Sequence, residues 1–413
     1  MPLTTIRPGH LLALGGLGAV MLWGVAFFNG TLDNMNAAIA KGQLPDGRLL
    51  RSTYTGLGPI DGRIEYLVAF YEVLSNNTTL GPRLLFLNIN FLIATSNFWL
   101  FVESRRRGVR NMALRHPVPF MVLWLGLGAA FLQPLYFWLL TRSKATVRDP
   151  TVPYNEAIAL FVAALPSFLT PLLLFLPSWT GMSTYEHQGY IGAFLASPFL
   201  MVVACLSVVA ILSPWHGLES KKDPQKPNAD KPWISATYKL AGLLSAATHL
   251  TCIYISLTSS NADLSLARVY LPAPGAMHSF ATDPVVLPTS WGPTLKNATS
   301  GPILSSLPAA YHKLFEGYHL FTQLDYVICS AACVVFTHWM LHNRGGDRVR
   351  KASVPMSGTE LRSLAVLVLG SLVIGPAAAG SFALAARETK LRREGEAGGV
   401  SGSSVASGLR KTQ

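Results

Sequence analysis

Asp325 is the residue best placed to do acid–base chemistry, because it lies within a long apolar segment, YHLFTQLDYVICSAACVVF. An ionisable side chain inside a membrane-spanning helix is costly, so its presence indicates a function by default. Tyr318, Thr322 and Cys329 lie on the same face of a helix as Asp325. Burial favours the protonated form of a carboxyl, so Asp325 could act as a catalytic acid. The alternative is a carboxyl held by hydrogen bonds to a neighbouring helix.

A second group of acids lies in the segment 60–74, IDGRIEYLVAFYEVL. Asp61, Glu65 and Glu72 are spaced i, i+4 and i+11, which places them on one narrow face of a helix. Two interpretations are open. The helix could lie on the membrane surface with its acids toward water. It could instead pack into a bundle with its acids facing an internal cavity.

Glu103 and His249 are two further candidates. Glu103 ends an apolar segment in FVESRRR, where it could pair with one of the three following arginines or do chemistry. His249 lies near the middle of SAATHLTCIYI and shares a helix face with Tyr238 and Ser245. A neutral, hydrogen-bonded structural histidine and a functional one are both consistent with this pattern.

Motifs for several other chemistries do not occur in the sequence. There is no GxxxxGK[ST], HExxH or GxSxG motif, no histidine-rich cluster, and no DDxxD or DxDD sequence. Glu186 and His187 fall in a short polar turn and are predicted to be solvated. We predict no metal site and no cofactor. The four cysteines lie within apolar segments and are predicted to be packing residues: Cys205, Cys252, Cys329 and Cys333.

The elements that carry these residues are long apolar segments. Of the 413 residues, 50% are hydrophobic and only 13% are charged. The net charge of +12 comes from Lys and Arg in short loops, as is typical near lipid headgroups, and does not indicate nucleic-acid binding. About eight segments are long enough to span a bilayer. They lie near 11–28, 84–102, 118–140, 156–176, 190–213, 234–257, 314–341 and 364–386.

The predicted fold is an all-α, polytopic transmembrane bundle over 1–386, followed by a disordered polar tail over 387–413. A ninth span would result if 60–74 crosses the membrane. We expect an integral, multi-pass protein of the endoplasmic reticulum, and its orientation stays open. Sequons make four asparagines candidates for glycosylation wherever their loops are lumenal: Asn29, Asn76, Asn77 and Asn297.

Several of these segments resemble one group of fungal integral-membrane proteins. The resemblance rests on 54–61 (YTGLGPID), the acidic helix after it, FWLFVES around Glu103, PLYFWLL over 134–140, the segment 238–249, and FTQLD ending at Asp325. It covers about half of the chain. Members of this group act in secondary metabolism, and some are membrane-bound terpene cyclases of meroterpenoid biosynthesis. The chain departs from the pattern after PLYFWLL, where RSKAT replaces a stretch that often contains histidine.

The resemblance implies a lipophilic substrate, such as a prenylated aromatic. An acid protonates its terminal epoxide or alkene, rings close through carbocations, and proton loss ends the reaction. No diphosphate leaves, so no metal is needed. A pathway prenyltransferase and monooxygenase are implied partners. Aromatic faces would stabilise the cations. The candidates are Phe70, Tyr71, Trp99, Tyr136, Trp138, Tyr238 and Tyr318.

The leading hypothesis is therefore a membrane-embedded, metal-independent isoprenoid cyclase. Asp325, or one of Asp61, Glu65 and Glu72, would be the acid, and His249 a terminating base or a partner of the acid. One alternative is a transporter or channel for a lipophilic metabolite, with the buried carboxyls as a proton relay. The other is a non-catalytic membrane scaffold.

Overall fold

The computed structural model describes residues 6–44, 48–76, 80–143, 145–176, 182–216, 228–272, 309–342 and 356–408. Within these ranges the chain is helical apart from loops and one isolated bridge between Gln43 and Leu49. The helices are α1 Pro8–Phe28, α2 Thr31–Ala40, α3 Gly58–Ser75, α4 Leu80–Arg105, α5 Met112–Arg115, α6 Val118–Leu127, α7 Ala129–Thr141, α8 Ala145–Arg148, α9 Tyr154–Leu169, α10 Thr184–Leu195, α11 Ser197–His216, α12 Lys231–Thr258, α13 Leu266–Tyr270, α14 Ala309–His342, α15 Gly358–Ile374 and α16 Pro376–Gly408.

Six helical segments in the described part of the chain are long and apolar enough to cross a membrane. They are Pro8–Phe28, Leu80–Arg105, Tyr154–Phe175, Ser197–Pro214, Lys231–Thr258 and Glu316–His342. The predicted all-α bundle of membrane-spanning helices is therefore confirmed. Two shorter apolar helices, α6 and α7, occupy the predicted span 118–140.

Three predicted spans are each divided into two helices. The span 118–140 breaks at Gly128, which has a φ of 89°, and 364–386 breaks at Gly375, which has a φ of 95°. Glycine adopts such angles without a Cβ clash, so the helix can end there and a new one begin at once. The span 190–213 breaks at Ala196, just before Pro198 occupies the first turn of α11.

Helix α3, which carries the acidic segment 60–74, packs into the bundle instead of lying wholly on its surface. Its first half is largely exposed, and its second half is buried from Tyr71 through Ser75. Asp61 and Glu72 are both buried, whereas Glu65 is partly exposed. The three acids therefore do not form one exposed face, nor one face toward a cavity.

The C-terminal segment differs from the disordered tail expected from residue 387. Helix α16 continues to Gly408, and Arg387, Glu388 and Arg392 are buried. Arg387 pairs with Glu103 of α4 at 3.1 Å, and Arg392 pairs with Asp230 at 2.7 Å. The charges that suggested disorder at the start of this tail are satisfied by ion pairs inside the bundle.

Candidate functional site

An aromatic cavity lies between α1, α2, α3, α4, α6 and α14. It has an empty volume of about 780 Å³ including its open mouth. Side chains from widely separated parts of the sequence form its wall, with Asp325 as the carboxyl among them. The lining residues that the chemistry below uses are Trp23, Tyr66, Phe70, Tyr71, Phe86, Asn90, Trp124, Phe321 and Asp325. We call this space the aromatic cavity.

Asp325 is buried, and a helix N-terminus holds its carboxyl. Its Oδ1 accepts a hydrogen bond from the backbone N–H of Ala130 at 2.5 Å and one from the Cys329 thiol at 3.6 Å. Ala130 is the second residue of α7, whose first N–H groups have no partner within the helix. The N-terminal end of a helix favours a negative charge, so this position stabilises the carboxylate form of Asp325.

Glycines bring that helix N-terminus into place. A Cβ on Gly18 of α1 would lie 2.2 Å from the carbonyl oxygen of Ala130, and one on Gly128 would lie 2.4 Å from Cδ1 of Leu22. Only glycine permits this close approach of α1 to the start of α7. Leu22 lies in a π-helical turn of α1, Val20–Gly24, and Trp23 of the same turn lines the aromatic cavity.

Aromatic rings form a continuous wall near Asp325. The ring of Phe70 lies 5.2 Å from that of Phe321 and 5.9 Å from that of Tyr71, centroid to centroid. Trp23 contacts Phe321 edge to face at 5.9 Å. Of the seven predicted aromatic residues, Phe70 and Tyr71 line the cavity. Sequence reasoning missed Trp23, Tyr66, Phe86, Trp124 and Phe321, although Phe321 lies one helical turn before Asp325 and its spacing could have revealed it.

The other five predicted aromatics have structural contacts elsewhere. None of the five lines the aromatic cavity. Trp99 donates to Ser381, Tyr136 donates to the Leu114 carbonyl, Tyr238 donates to Glu103, Tyr318 packs on Phe70, and the half-buried Trp138 lies under the Arg142 guanidinium.

Asp61 and Glu65 do not line the aromatic cavity. Asp61 accepts hydrogen bonds from the backbone N–H and hydroxyl of Thr55 at 2.7 and 2.8 Å, and from the N–H of Gly56 at 3.0 Å. The Thr55 N–H holds the pKa of Asp61 below its usual value, so Asp61 is an anion that fixes the loop before α3. Partial burial raises the pKa of Glu65.

Glu72 lies in a separate buried cluster. Its Oε2 accepts hydrogen bonds from Arg48 at 2.9 Å and from Asn76 at 3.2 Å. His187 is buried beside it, with Nδ1 4.0 Å from Glu72 Oε1, contrary to the solvated position predicted for this histidine. The Nε2–H of His187 donates to the Leu174 carbonyl, and burial lowers the pKa of His187 to about 4.

Glu103 takes part in a buried ion cluster at one end of the bundle. Arg106 bonds both of its carboxylate oxygens at 2.9 Å, in agreement with the pairing expected for a following arginine. Arg387 adds a third bond at 3.1 Å, and Arg106 also contacts Glu388 at 2.5 Å. We call these residues, with Asp230 and Arg392, the ion cluster. Glu103 does not line the aromatic cavity.

His249 lies in another polar group, away from Asp325. Its Nδ1 is 3.1 Å from the amide nitrogen of Asn88 and 3.4 Å from the hydroxyl of Tyr326, and its Nε2 is 3.4 Å from the Leu372 carbonyl. These partners come from other helices and not from Tyr238, which was expected to share its face. None of these contacts joins His249 to Asp325.

The candidate glycosylation residues divide into two pairs. Asn29 is buried and accepts a hydrogen bond from Thr31, and Asn76 is buried against Glu72. Asn77 and Asn297 lie outside the described residues. In the described part of the chain, no three His, Cys, Asp or Glu side chains are grouped so that they could hold a metal ion.

Comparisons with known proteins place the chain in a family. Residues 7–392 match the CtvD domain. The chain is 38% identical over 386 residues to terpene cyclase DEP1 of Fusarium langsethiae, which covers 92% of this chain and 98% of the relative. It is 39% identical over 379 residues to terpene cyclase DEP1 of Alternaria brassicicola, with 92% and 97% covered. Terpene cyclase alnG of Emericella nidulans is 24% identical over 387 residues, with 91% and 92% covered.

No solved structure matches the chain. The resemblance to fungal terpene cyclases inferred from the sequence is confirmed by these relatives, and their names support an isoprenoid cyclase enzyme. The chain belongs to the CtvD domain family and is a homologue of fungal proteins named terpene cyclase.

Proposed function

We propose that this protein is a membrane-bound cyclase of meroterpenoid biosynthesis that folds and closes the isoprenoid chain of a prenylated, lipophilic substrate. The observation that carries the proposal is the position of Asp325, a buried carboxyl on the wall of an aromatic cavity. Asp61, Glu72 and Glu103 are held by bonds outside this cavity. Asp325 is therefore the residue that we assign as the acid.

The reaction begins when the carboxyl proton of Asp325 passes to the substrate. Where the substrate ends in an epoxide, the proton goes to the epoxide oxygen, a C–O bond breaks, and its electron pair becomes a hydroxyl lone pair. Successive alkenes then attack the cation through their π electrons and form the C–C bonds of the rings. Loss of one proton from a carbon atom next to the last cation ends the reaction. One proton enters and one leaves, so the product is an isomer of the substrate.

The surroundings of Asp325 favour both its protonated form before the proton transfer and its carboxylate form afterwards. Burial favours the protonated acid before reaction, and the Ala130 N–H stabilises the carboxylate after it. The faces of Phe70, Trp23 and Phe321 offer negative π density to the passing cations. An apolar wall also keeps water from capturing them.

The supply of substrate follows from its chemistry. A prenyltransferase must attach the isoprenoid chain, and an epoxidising monooxygenase must act next where the reaction starts from an epoxide. Because such intermediates partition into lipid, the enzyme would work in the endoplasmic reticulum membrane alongside these partners.

The test is conversion of an epoxyprenyl aromatic by purified protein in detergent, without added magnesium. We expect a cyclic product of unchanged mass. Asp325→Asn keeps the size of the side chain but cannot donate the same proton, so turnover should fall by at least about 100-fold. Asp33→Asn is the matched control, because Asp33 is exposed on α2, and it should react at the wild-type rate. Full activity of Asp325→Asn removes Asp325 as the acid.

A further inference from the structure

A second cavity adjoins the aromatic cavity. The two share the wall residues Asn90, Ile93, Trp124 and Leu125, so Trp124 borders both spaces. The second cavity has an empty volume of about 480 Å³ including its open mouth.

The second cavity is lined differently from the first. Asn97, Ser167, Thr170 and Ser197 line it, and none of the four lines the aromatic cavity. Ser167 donates its hydroxyl proton to the Ala163 carbonyl and Thr170 donates to the Ser167 carbonyl, so the oxygens of both side chains can still accept. The second cavity thus has hydroxyl and amide groups in its wall beside the rings of Phe98 and Phe194.

Two buried polar atoms that have no hydrogen-bond partner among the described residues belong to side chains that line this cavity. One is the indole N–H of Trp124, a side chain that is 2% exposed, and the other is the amide oxygen of Asn97. A buried donor or acceptor without a partner is costly, and native proteins contain few. One such donor and one such acceptor in the wall of the same cavity indicate a ligand that carries both an acceptor, such as a carbonyl, and a donor, such as a hydroxyl.

We propose that the second cavity binds the oxygenated head group of the substrate, while the isoprenoid chain extends past Trp124 into the aromatic cavity. This inference rests on the proposed cyclase function. A head-group carbonyl accepts from the Trp124 indole, and a head-group hydroxyl donates to the Asn97 amide oxygen. The chain needs no hydrogen bonds, so the aromatic wall suits it. Anchoring the head group directs the far end of the chain toward Asp325.

The test compares two substrates that differ only in the head group, one with a free hydroxyl and one with its O-methyl ether. The wild type should prefer the hydroxyl by about tenfold in kcat/KM, the effect of one well-formed hydrogen bond. Asn97→Leu, which keeps the side-chain size, should abolish that preference by raising KM for the hydroxyl substrate, with kcat within about twofold. A structural role would lower turnover of both substrates alike. If the preference survives in Asn97→Leu, the inference is overturned.

Trp124→Phe provides a second, independent readout, because it keeps a ring but loses the N–H. It should abolish discrimination between head groups with and without the carbonyl, and equal loss for both would contradict the assignment. These variants decide the inference even if Asn97→Leu does not fold. Asp325→Asn separates the two proposals. Its full activity would overturn the acid assignment, whereas the head-group preferences of the wild type would still report on the second cavity.

Discussion

Two buried carboxyls on helices that pack together, Asp325 of α14 and Glu103 of α4, have opposite surroundings. Arg106 and Arg387 hold Glu103, together with the hydroxyl of Tyr238. Asp325 faces an open cavity and accepts bonds from one backbone N–H and one thiol. Burial is common to both, so burial alone does not identify a catalytic acid. The difference is the counter-charge: a paired carboxylate is fixed as an anion, whereas an unpaired carboxyl can hold a proton and release it.

The ion cluster contains equal numbers of positive and negative charges, which indicates a structural role. Three carboxylates, Glu103, Glu388 and Asp230, meet three guanidinium groups, Arg106, Arg387 and Arg392. They join α4 and the start of α12 to the C-terminal helix α16. A buried ion pair adds little net stability over apolar packing, but the loss of one partner leaves an uncompensated charge. Removal of a charge should therefore unfold this end of the molecule.

Arg106→Met is the change with the largest expected effect on stability. It leaves Glu103 and Glu388 buried without their shared guanidinium, which should cost about 3 to 5 kcal/mol. We expect a much lower thermal unfolding midpoint in detergent and a low yield of folded protein. Arg105→Met is the matched control. Arg105 is partly exposed and 3.8 Å from Glu156, so its loss should cost at most about 1 kcal/mol. Equal losses of stability in the two variants would contradict the distinction between the buried ion cluster and a partly exposed ion pair.

His187 extends the comparison between charged and neutral buried groups, because it lies beside a buried carboxylate and yet stays neutral. Burial lowers the pKa of His187 to about 4, with Arg48 and Arg83 nearby. The unfolded chain binds a proton near pH 6.5 and the folded chain does not. The contribution of His187 to the free energy of unfolding is therefore fully present above pH 6.5. It falls by about 2 to 3 kcal/mol as the pH drops toward 4.

The measurement is the thermal unfolding midpoint between pH 7.5 and 4.5. His187→Gln removes the titrating ring, so the midpoint should fall less steeply toward low pH than in the wild type. His116→Gln removes an exposed histidine and should leave the wild-type slope unchanged. Identical slopes for His187→Gln and the wild type would mean that other groups cause the acid sensitivity.

The sequence predicts the spans well where the apolar pattern is uninterrupted. The segments 84–102, 234–257 and 314–341 each correspond to one long helix. The divided spans were not anticipated, because a count of apolar residues does not report the φ of Gly128 or Gly375. That difference matters for the site, since the break at Gly128 creates the helix N-terminus that holds Asp325.

The sequence predicts which residues of the candidate site share one helix, but not which helices meet at the site. Asp325 stands out in the sequence because its segment is apolar, whereas Phe70 and Tyr71 are candidates because the family resemblance implies aromatic faces beside the cations. Trp23 and Trp124 reach the same cavity from helices far away in sequence, and spacing within one segment carries no signal for that proximity. The roles of Asp61 and Glu72 give no signal in the acidic helix, because their partners are N–H groups of the preceding loop and an arginine at position 48. The pairing of Glu103 with Arg106 is predictable from their spacing, whereas its pairing with the distant Arg387 is not.

Gly18→Ala tests whether the close approach of α1 positions the acid. The added Cβ would lie 2.2 Å from the Ala130 carbonyl oxygen, so α1 and the start of α7 must separate. We expect a loss of about 1 to 3 kcal/mol in stability and slower turnover, because the Ala130 N–H moves away from Asp325. Gly16→Ala is the control, since nothing lies within 4 Å of its Cβ. Unchanged turnover in Gly18→Ala would show that this contact is structural only.

Cys329→Ala makes the smallest change at the acid itself. The thiol of Cys329 donates to Oδ1 of Asp325 at 3.6 Å, a weak bond that stabilises the carboxylate once the proton has left. Cys333 is buried one turn further along α14, and Cys333→Ala removes the same atoms without that bond. Turnover of Cys329→Ala should therefore be about two- to fivefold slower than that of Cys333→Ala, with similar unfolding midpoints. Because both changes leave a cavity of the same size, equal turnover would mean that the Ala130 N–H alone stabilises the carboxylate.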